Sequence, residues 1–210
     1  MDFLKSVVNW FFDNVYNVPV LIRTVGPYGL MAVVFAETGL LVGFFLPGDS
    51  LLITAGLFAA RGDLDIRLLV PSLILAAVVG NATGYAIGKR TGKALYNRPD
   101  SFLFRREHLR MTHEYYEKHG GKTIILAQFI PILRTFAPVV AGVAEMGYTR
   151  FAAYNVVGAI LWVASMTLAG YALGNLIPNI EQRIHYVVAV VIAISLLPPA
   201  IAWLRRKRST

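Results

Sequence analysis

Five long apolar tracts, at about 28–60, 67–88, 122–142, 150–174 and 183–204, constrain this chain more than any other feature. Several are near the ~20 residues that cross a hydrocarbon core as a helix, and too little charge lies between them to clothe a soluble surface. Of 210 residues 56% are hydrophobic and only 15% charged, with mean hydropathy +0.58, which places the chain in a bilayer. Asp2 precedes any apolar run, with neither a basic leader nor a small-residue cleavage motif, so the mature protein is expected to begin at Met1. The absence of cysteine excludes disulfides, thiolate chemistry and cysteine-based metal sites.

The net charge of +8 is concentrated between the tracts. Segment 89–122 carries Lys89, Arg90, Lys93, Arg98, Arg105, Arg106, Arg110, Lys118 and Lys122, and the chain closes with Arg205, Arg206, Lys207 and Arg208. The positive-inside rule puts both in the cytoplasm, where they can meet anionic headgroups. No soluble domain or base-stacking module supports nucleic-acid binding. If 205–208 is inside, then 183–204 starts outside, 150–174 runs outward and 143–149 is inside. Tract 122–142 therefore begins and ends on the cytoplasmic side, and with Pro131 and Pro138 interrupting it, it is expected to be a re-entrant hairpin. Tract 28–60, broken at Pro47-Gly48, is the parallel case entering from outside, and 67–88 leads inward from it.

An internal repeat agrees with that topology. Ala55-Gly56 recurs as Ala141-Gly142, and Gly84-Tyr85-Ala86-Ile87-Gly88 as Gly170-Tyr171-Ala172-Leu173-Gly174, both 86 residues apart. Phe45-Leu46-Pro47 and Phe129-Ile130-Pro131 match at 84. Repeats of about 28–88 and 122–174, in opposite orientations, predict the inverted-repeat architecture of a secondary transporter, with its site where broken segments meet. The predicted fold is an all-α integral membrane protein with two re-entrant hairpins. Before it, residues 1–22 read as an amphipathic interfacial helix, with Leu4, Val7, Val8, Phe11, Phe12 and Val15 at helical spacing until Pro19; a helix packed on the bundle fits equally. Residues 183–204 form a last span and 205–210 a basic cytoplasmic tail.

Three charges sit inside apolar tracts: Glu37, Asp49 and Arg134. A charge at the bilayer centre costs about 2.5–3.5 kcal/mol on insertion scales, so such groups mark function or lock segments together. Two carboxylates face one arginine, which makes either acid a candidate proton carrier. The planar donor fork of Arg134 suits phosphate oxygens.

The stretch "FAETGLLVGFFLPGDSLL" together with "FIPILRTFAPVVAG" resembles the paired signatures of the DedA family, also called the VTT or SNARE-associated domain, over roughly 25–175. The resemblance implies opposed re-entrant hairpins, and functions around undecaprenyl phosphate recycling, membrane potential and envelope stress; eukaryotic relatives scramble phospholipids. Glu37, Asp49 and Arg134 fall on the family's functional acids and second arginine, while Gln128 stands where many members have the first arginine. Gln128 can hydrogen-bond a phosphate but not neutralise it. Asn81 stands where some relatives have an acid.

Other signals carry less. "GYAIGKRTGK" has the wrong spacing for a phosphate loop. His108, His113, His119 and His185 lack ligand spacing, so no metal is expected. Arg61-Gly62-Asp63 reads as a hairpin exit, and Trp162 as packing or an interfacial anchor. The expected function is a bacterial inner-membrane lipid-phosphate translocase, first of all for undecaprenyl phosphate, with protons as possible coupling ions. Its substrate-binding residues are Arg134, Gln128, Glu37 and Asp49, the two acids serve proton coupling, and Pro47, Gly48, Pro131 and Pro138 break the hairpins. The alternatives are a proton-coupled small-solute antiporter and a non-transporting assembly factor; no enzyme activity and no cofactor is expected.

Overall fold

A computed structural model describes residues 18–40, 48–96 and 121–176. The stretch preceding Val18, Pro47, most of the basic segment 89–122, the tract 183–204 and the basic tail lie outside the described residues. Among the described residues every regular element is helical: α1 (Val18–Gly39), α2 (Gly48–Ala60), α3 (Ile66–Tyr96), α4 (121–127), α5 (Pro131–Val143) and α6 (Tyr148–Leu176). Two of them, at Ile66–Gly92 and Tyr148–Leu176, are long and apolar enough to cross a membrane. They coincide with the expected tracts 67–88 and 150–174.

The other two expected tracts that fall among the described residues are broken. Tract 28–60 divides into α1 and α2, and α1 is itself kinked at Gly26, whose φ of 60° and ψ of −160° suit glycine ahead of Pro27. Pro19 lies in the first turn of α1, where the missing N–H is not needed. Tract 122–142 divides at residues 128–130, where the amides of Gln128, Phe129 and Ile130 donate back three residues and the chain then extends at Ile130. Pro131 opens α5, as expected of a breaking proline. Pro138 behaves differently: α5 runs through it without interruption, so it does not break the hairpin. A proline inside a helix withholds one i→i−4 donor, here from the carbonyl of Arg134, without forcing a stop when the remaining turns are well packed.

The helices fall into two compact units. One unit contains α2, the following turn and the last part of α6. Gly62, at φ 84°, ends α2 in a Schellman stop, with the Gly62 and Asp63 amides donating to the Ala59 and Phe58 carbonyls. The Asp65 carboxylate then accepts from the Arg67 amide at 2.8 Å and caps α3. Arg61-Gly62-Asp63 is thus a turn, as read from the sequence. α2 lies along α6 in parallel: a Cβ on Gly170 would fall 2.9 Å from the Ile53 Cα, one on Gly174 2.5 Å from the Ala60 Cβ, and one on Gly56 2.8 Å from the Tyr171 N. Only hydrogen fits at these contacts, the close backbone approach used by membrane helices in place of large side chains.

The second unit holds residues 28–46 and 68–165. Here α5 lies along α3 in parallel, with Cβ positions on Gly88 and Gly92 each 2.9 Å from the Cα atoms of Val139 and Val143. α4 runs parallel to α6, since Gly121 abuts the Tyr154 ring and Gly158 faces Ile125 and Gln128. α3 and α6 run antiparallel, with Asn81 bonded to Asn155 and Tyr85 stacked on Phe151 at 4.5 Å between centroids. The chain therefore reverses between α4 and α5. The Tyr85 hydroxyl donates to the Met146 carbonyl at one end of this unit, in a core that includes Ile124, Ala137 and Ala141. α5 ends in a second Schellman stop, in which Glu145 occupies the left-handed position at φ 54°.

Candidate functional site

The buried polar groups of the second unit centre on Arg134. It lies in the first turns of α5, and its side chain is fully buried. Its Nη1 donates to Glu37 Oε1 at 2.8 Å, and its Nε donates to the Gln128 backbone carbonyl at 2.7 Å. The guanidinium carbon stands 3.8 Å from the centroid of the Trp162 ring on α6. α1, the α4–α5 turn and α6 thus each supply one contact to the arginine of α5, and an ion pair sealed from solvent is held by a carbonyl and an aromatic face. A buried charge is tolerable only with such compensation. Thr135 Oγ1 donates to the Glu37 carbonyl at 3.2 Å and ties the same two helices again.

Glycines make that meeting possible. Gly39 and Gly80 face each other, and a Cβ on Gly80 would overlap the Thr38 hydroxyl, so α1 and α3 approach closely where Glu37 enters. Gly158 on α6 leaves room for the Gln128 side chain, whose Cγ would be 2.9 Å from a Cβ there. Gln128 is only 1% exposed, and its Oε1 has no hydrogen-bond partner among the described residues.

A second polar contact lies farther along α6. Asn155 Nδ2 donates to the Val78 carbonyl at 3.0 Å, which leaves its Oδ1 to accept from Asn81 Nδ2 at 2.8 Å. Asn155, Gly158 and Trp162 recur on one face of α6, so the amide pair, Gln128 and the arginine follow one helix face.

Of the residues singled out from the sequence, Glu37, Arg134 and the Gln128 backbone come together. Asp49 is half-buried in the first turn of α2, in the other unit, with Gly48 buried beside it. Sequence reading missed Trp162 as a partner of Arg134 and missed Asn155 altogether. Their signal was faint: one aromatic and one amide on an apolar helix, seven residues apart and hence on one face. "GYAIGKRTGK" lies on the continuous helix α3, with Lys89 and Arg90 exposed, so it forms no phosphate loop.

The VTT domain family model matches residues 46–172. Protein DedA of Escherichia coli (strain K12) is 45% identical over 213 residues, spanning 97% of this chain and 97% of its own. The chain belongs to the DedA family. Other relatives are an uncharacterized membrane protein of Mycobacterium leprae (strain TN), 43% identical over 85% of this chain and 83% of its own. Inner membrane protein YqjA of Escherichia coli (strain K12) is 33% identical over 70% and 66% respectively. This DedA-family chain is accordingly a membrane protein, and α3 and α6 are its long apolar helices. No solved structure matches it.

Proposed function

We propose that this protein moves a lipid phosphate across the bacterial inner membrane, with undecaprenyl phosphate the first substrate to test and protons the coupling ion. The observation that carries this reading is Arg134, a fully buried guanidinium held by Glu37, a carbonyl and Trp162 on helices of a membrane protein. A cation kept at such cost suits an anionic headgroup that takes the place of the carboxylate. Glu37 released from Arg134 is then an acid at membrane depth and a proton acceptor; Asp49 is the second candidate for that role. Gln128 adds an amide that can bond the phosphate.

Two re-entrant hairpins in an inverted repeat are part of the same proposal. In support, α5 has 13 residues; at 1.5 Å per residue this is ~20 Å, short of the ~30 Å hydrocarbon core. In each unit, moreover, a short apolar helix lies parallel to the C-terminal part of a long one and is seated on its glycines. A cytoplasmic 89–122 and C-terminus and an external 61–66 follow from the charges. Periplasmic labelling of Ser101→Cys would overturn that orientation.

The deciding measurement is translocation of labelled undecaprenyl phosphate in proteoliposomes, with and without a pH gradient. The expected result is protein-dependent movement that responds to the gradient and is lost in Arg134→Ala, which still inserts. Undiminished transport by Arg134→Ala removes the phosphate clamp and favours the antiporter or assembly-factor reading.

A further inference from the structure

The contacts that seat the two short helices are alike in kind but differ in register. A Cβ on Gly170 would lie 2.9 Å from the Ile53 Cα, and one on Gly88 would lie 2.9 Å from the Val139 Cα. A Cβ on Gly56 would meet the Tyr171 N at 2.8 Å, and one on Gly142 the Lys89 N at 2.7 Å. On the short helices Ile53 and Val139 correspond at the repeat spacing of 86 residues. On the long helices the partner of Gly170 is Gly88, only 82 residues earlier, and not Gly84, which the sequence repeat matches to it. α5 therefore sits one helical turn farther along α3 than the repeat would put it.

α3 can accept either register because it carries glycine at 84, 88 and 92. Gly88 and Gly92 are occupied now, whereas a Cβ on Gly84 would make an ordinary 3.5 Å contact with the Pro138 Cβ. α6 offers Gly170 and Gly174, with Met166 one turn earlier, so α2 has no second seat in that direction.

We propose that α5 has two seats on α3 one turn apart, and that the Glu37–Arg134 pair holds the observed one. Moving to Gly84 and Gly88 displaces α5 by about 5.4 Å, the step by which packed helices ratchet. Pro138 would then face Gly80, which Thr38 and the Phe35 carbonyl cover in the observed seat. α1 must withdraw for α5 to advance, and Glu37 is on α1 while Arg134 is on α5. A displacement of that size breaks a 2.8 Å bond, so ion-pair rupture and seat exchange are one event. On the lipid-phosphate reading, an anion that takes Arg134 from Glu37 releases the lock; the two seats themselves do not depend on which ligand does so.

The test uses spin labels at Thr91→Cys on α3 and Phe136→Cys on α5, both exposed, in a chain without native cysteine. Distances are measured by double electron–electron resonance in phosphatidylethanolamine–phosphatidylglycerol nanodiscs. The labelled protein should show one distance, and Glu37→Gln should add a second, longer by up to about 5 Å. Adding Gly84→Ala to Glu37→Gln should abolish the longer distance, because the new methyl is tolerated in the observed seat and meets the Val139 backbone in the other. A single distance unaltered by Glu37→Gln overturns the proposal, as does a longer distance that survives Gly84→Ala. The readout needs no substrate, so failure here leaves the lipid reading standing, and a transport failure leaves the two seats standing.

Discussion

Arg134 and Trp162 meet across α5 and α6, with the guanidinium carbon 3.8 Å from the indole centroid and both side chains fully buried. The pairing makes the arginine site depend on an aromatic face as well as on Glu37. Desolvated cation–π contacts are worth about 2 kcal/mol or more.

Trp162→Leu removes that face while keeping an apolar side chain. Headgroup affinity in the transport assay is expected to fall roughly thirtyfold, the equivalent of about 2 kcal/mol, with Trp162→Phe intermediate. Arg134→Lys keeps charge but loses the Nε bond to the Gln128 carbonyl and the planar fork, so transport should fail despite normal insertion. Retained transport by the lysine variant contradicts bidentate recognition.

The Glu37–Arg134 pair should show strong coupling in a double-mutant cycle. Glu37→Gln takes the Glu37 carboxylate away from a buried guanidinium, which costs about 3–5 kcal/mol. Adding Arg134→Gln removes that buried charge, so thermal unfolding in detergent should show the double variant less destabilised than the sum of the singles. Additive losses would mean the two side chains act separately.

Gln128→Arg places a second cation in the turn that already touches Arg134 through its carbonyl. With Gln128 1% exposed against Gly158, the variant should be less stable than wild type without ligand. Undecaprenyl phosphate should raise its melting temperature more than that of the wild type. Equal shifts in the two proteins would show that position 128 does not face the headgroup.

Glu145 holds the left-handed position of the α5 stop with an exposed side chain, at φ 54°. A left-handed non-glycine residue costs about 1–2 kcal/mol, so Glu145→Gly should stabilise the protein by about 1 kcal/mol. Gly170→Ala, by contrast, forces a methyl against the Ile53 backbone and should destabilise by about 1–3 kcal/mol or prevent folding. Detergent melting curves on the two variants check both signs.

What the amino-acid order determined by itself was what the bilayer makes expensive. Runs of apolar residues placed α3 and α6, the Pro131 interruption placed the start of α5, and the cost of a charge in lipid marked Glu37 and Arg134 before any contact was known. These are local properties, legible because lipid penalises each residue directly. The tertiary structure decided which groups meet: that Arg134 pairs with Glu37, 97 residues away, stacks on Trp162 and bonds a carbonyl of the turn. It also decided that Pro138 sits inside an unbroken helix, and that α5 uses Gly88 and Gly92 where the sequence repeat points to Gly84 and Gly88. A glycine every fourth residue offers a helix partner several equivalent seats, and only packing against α1 and the ion pair selects one of them.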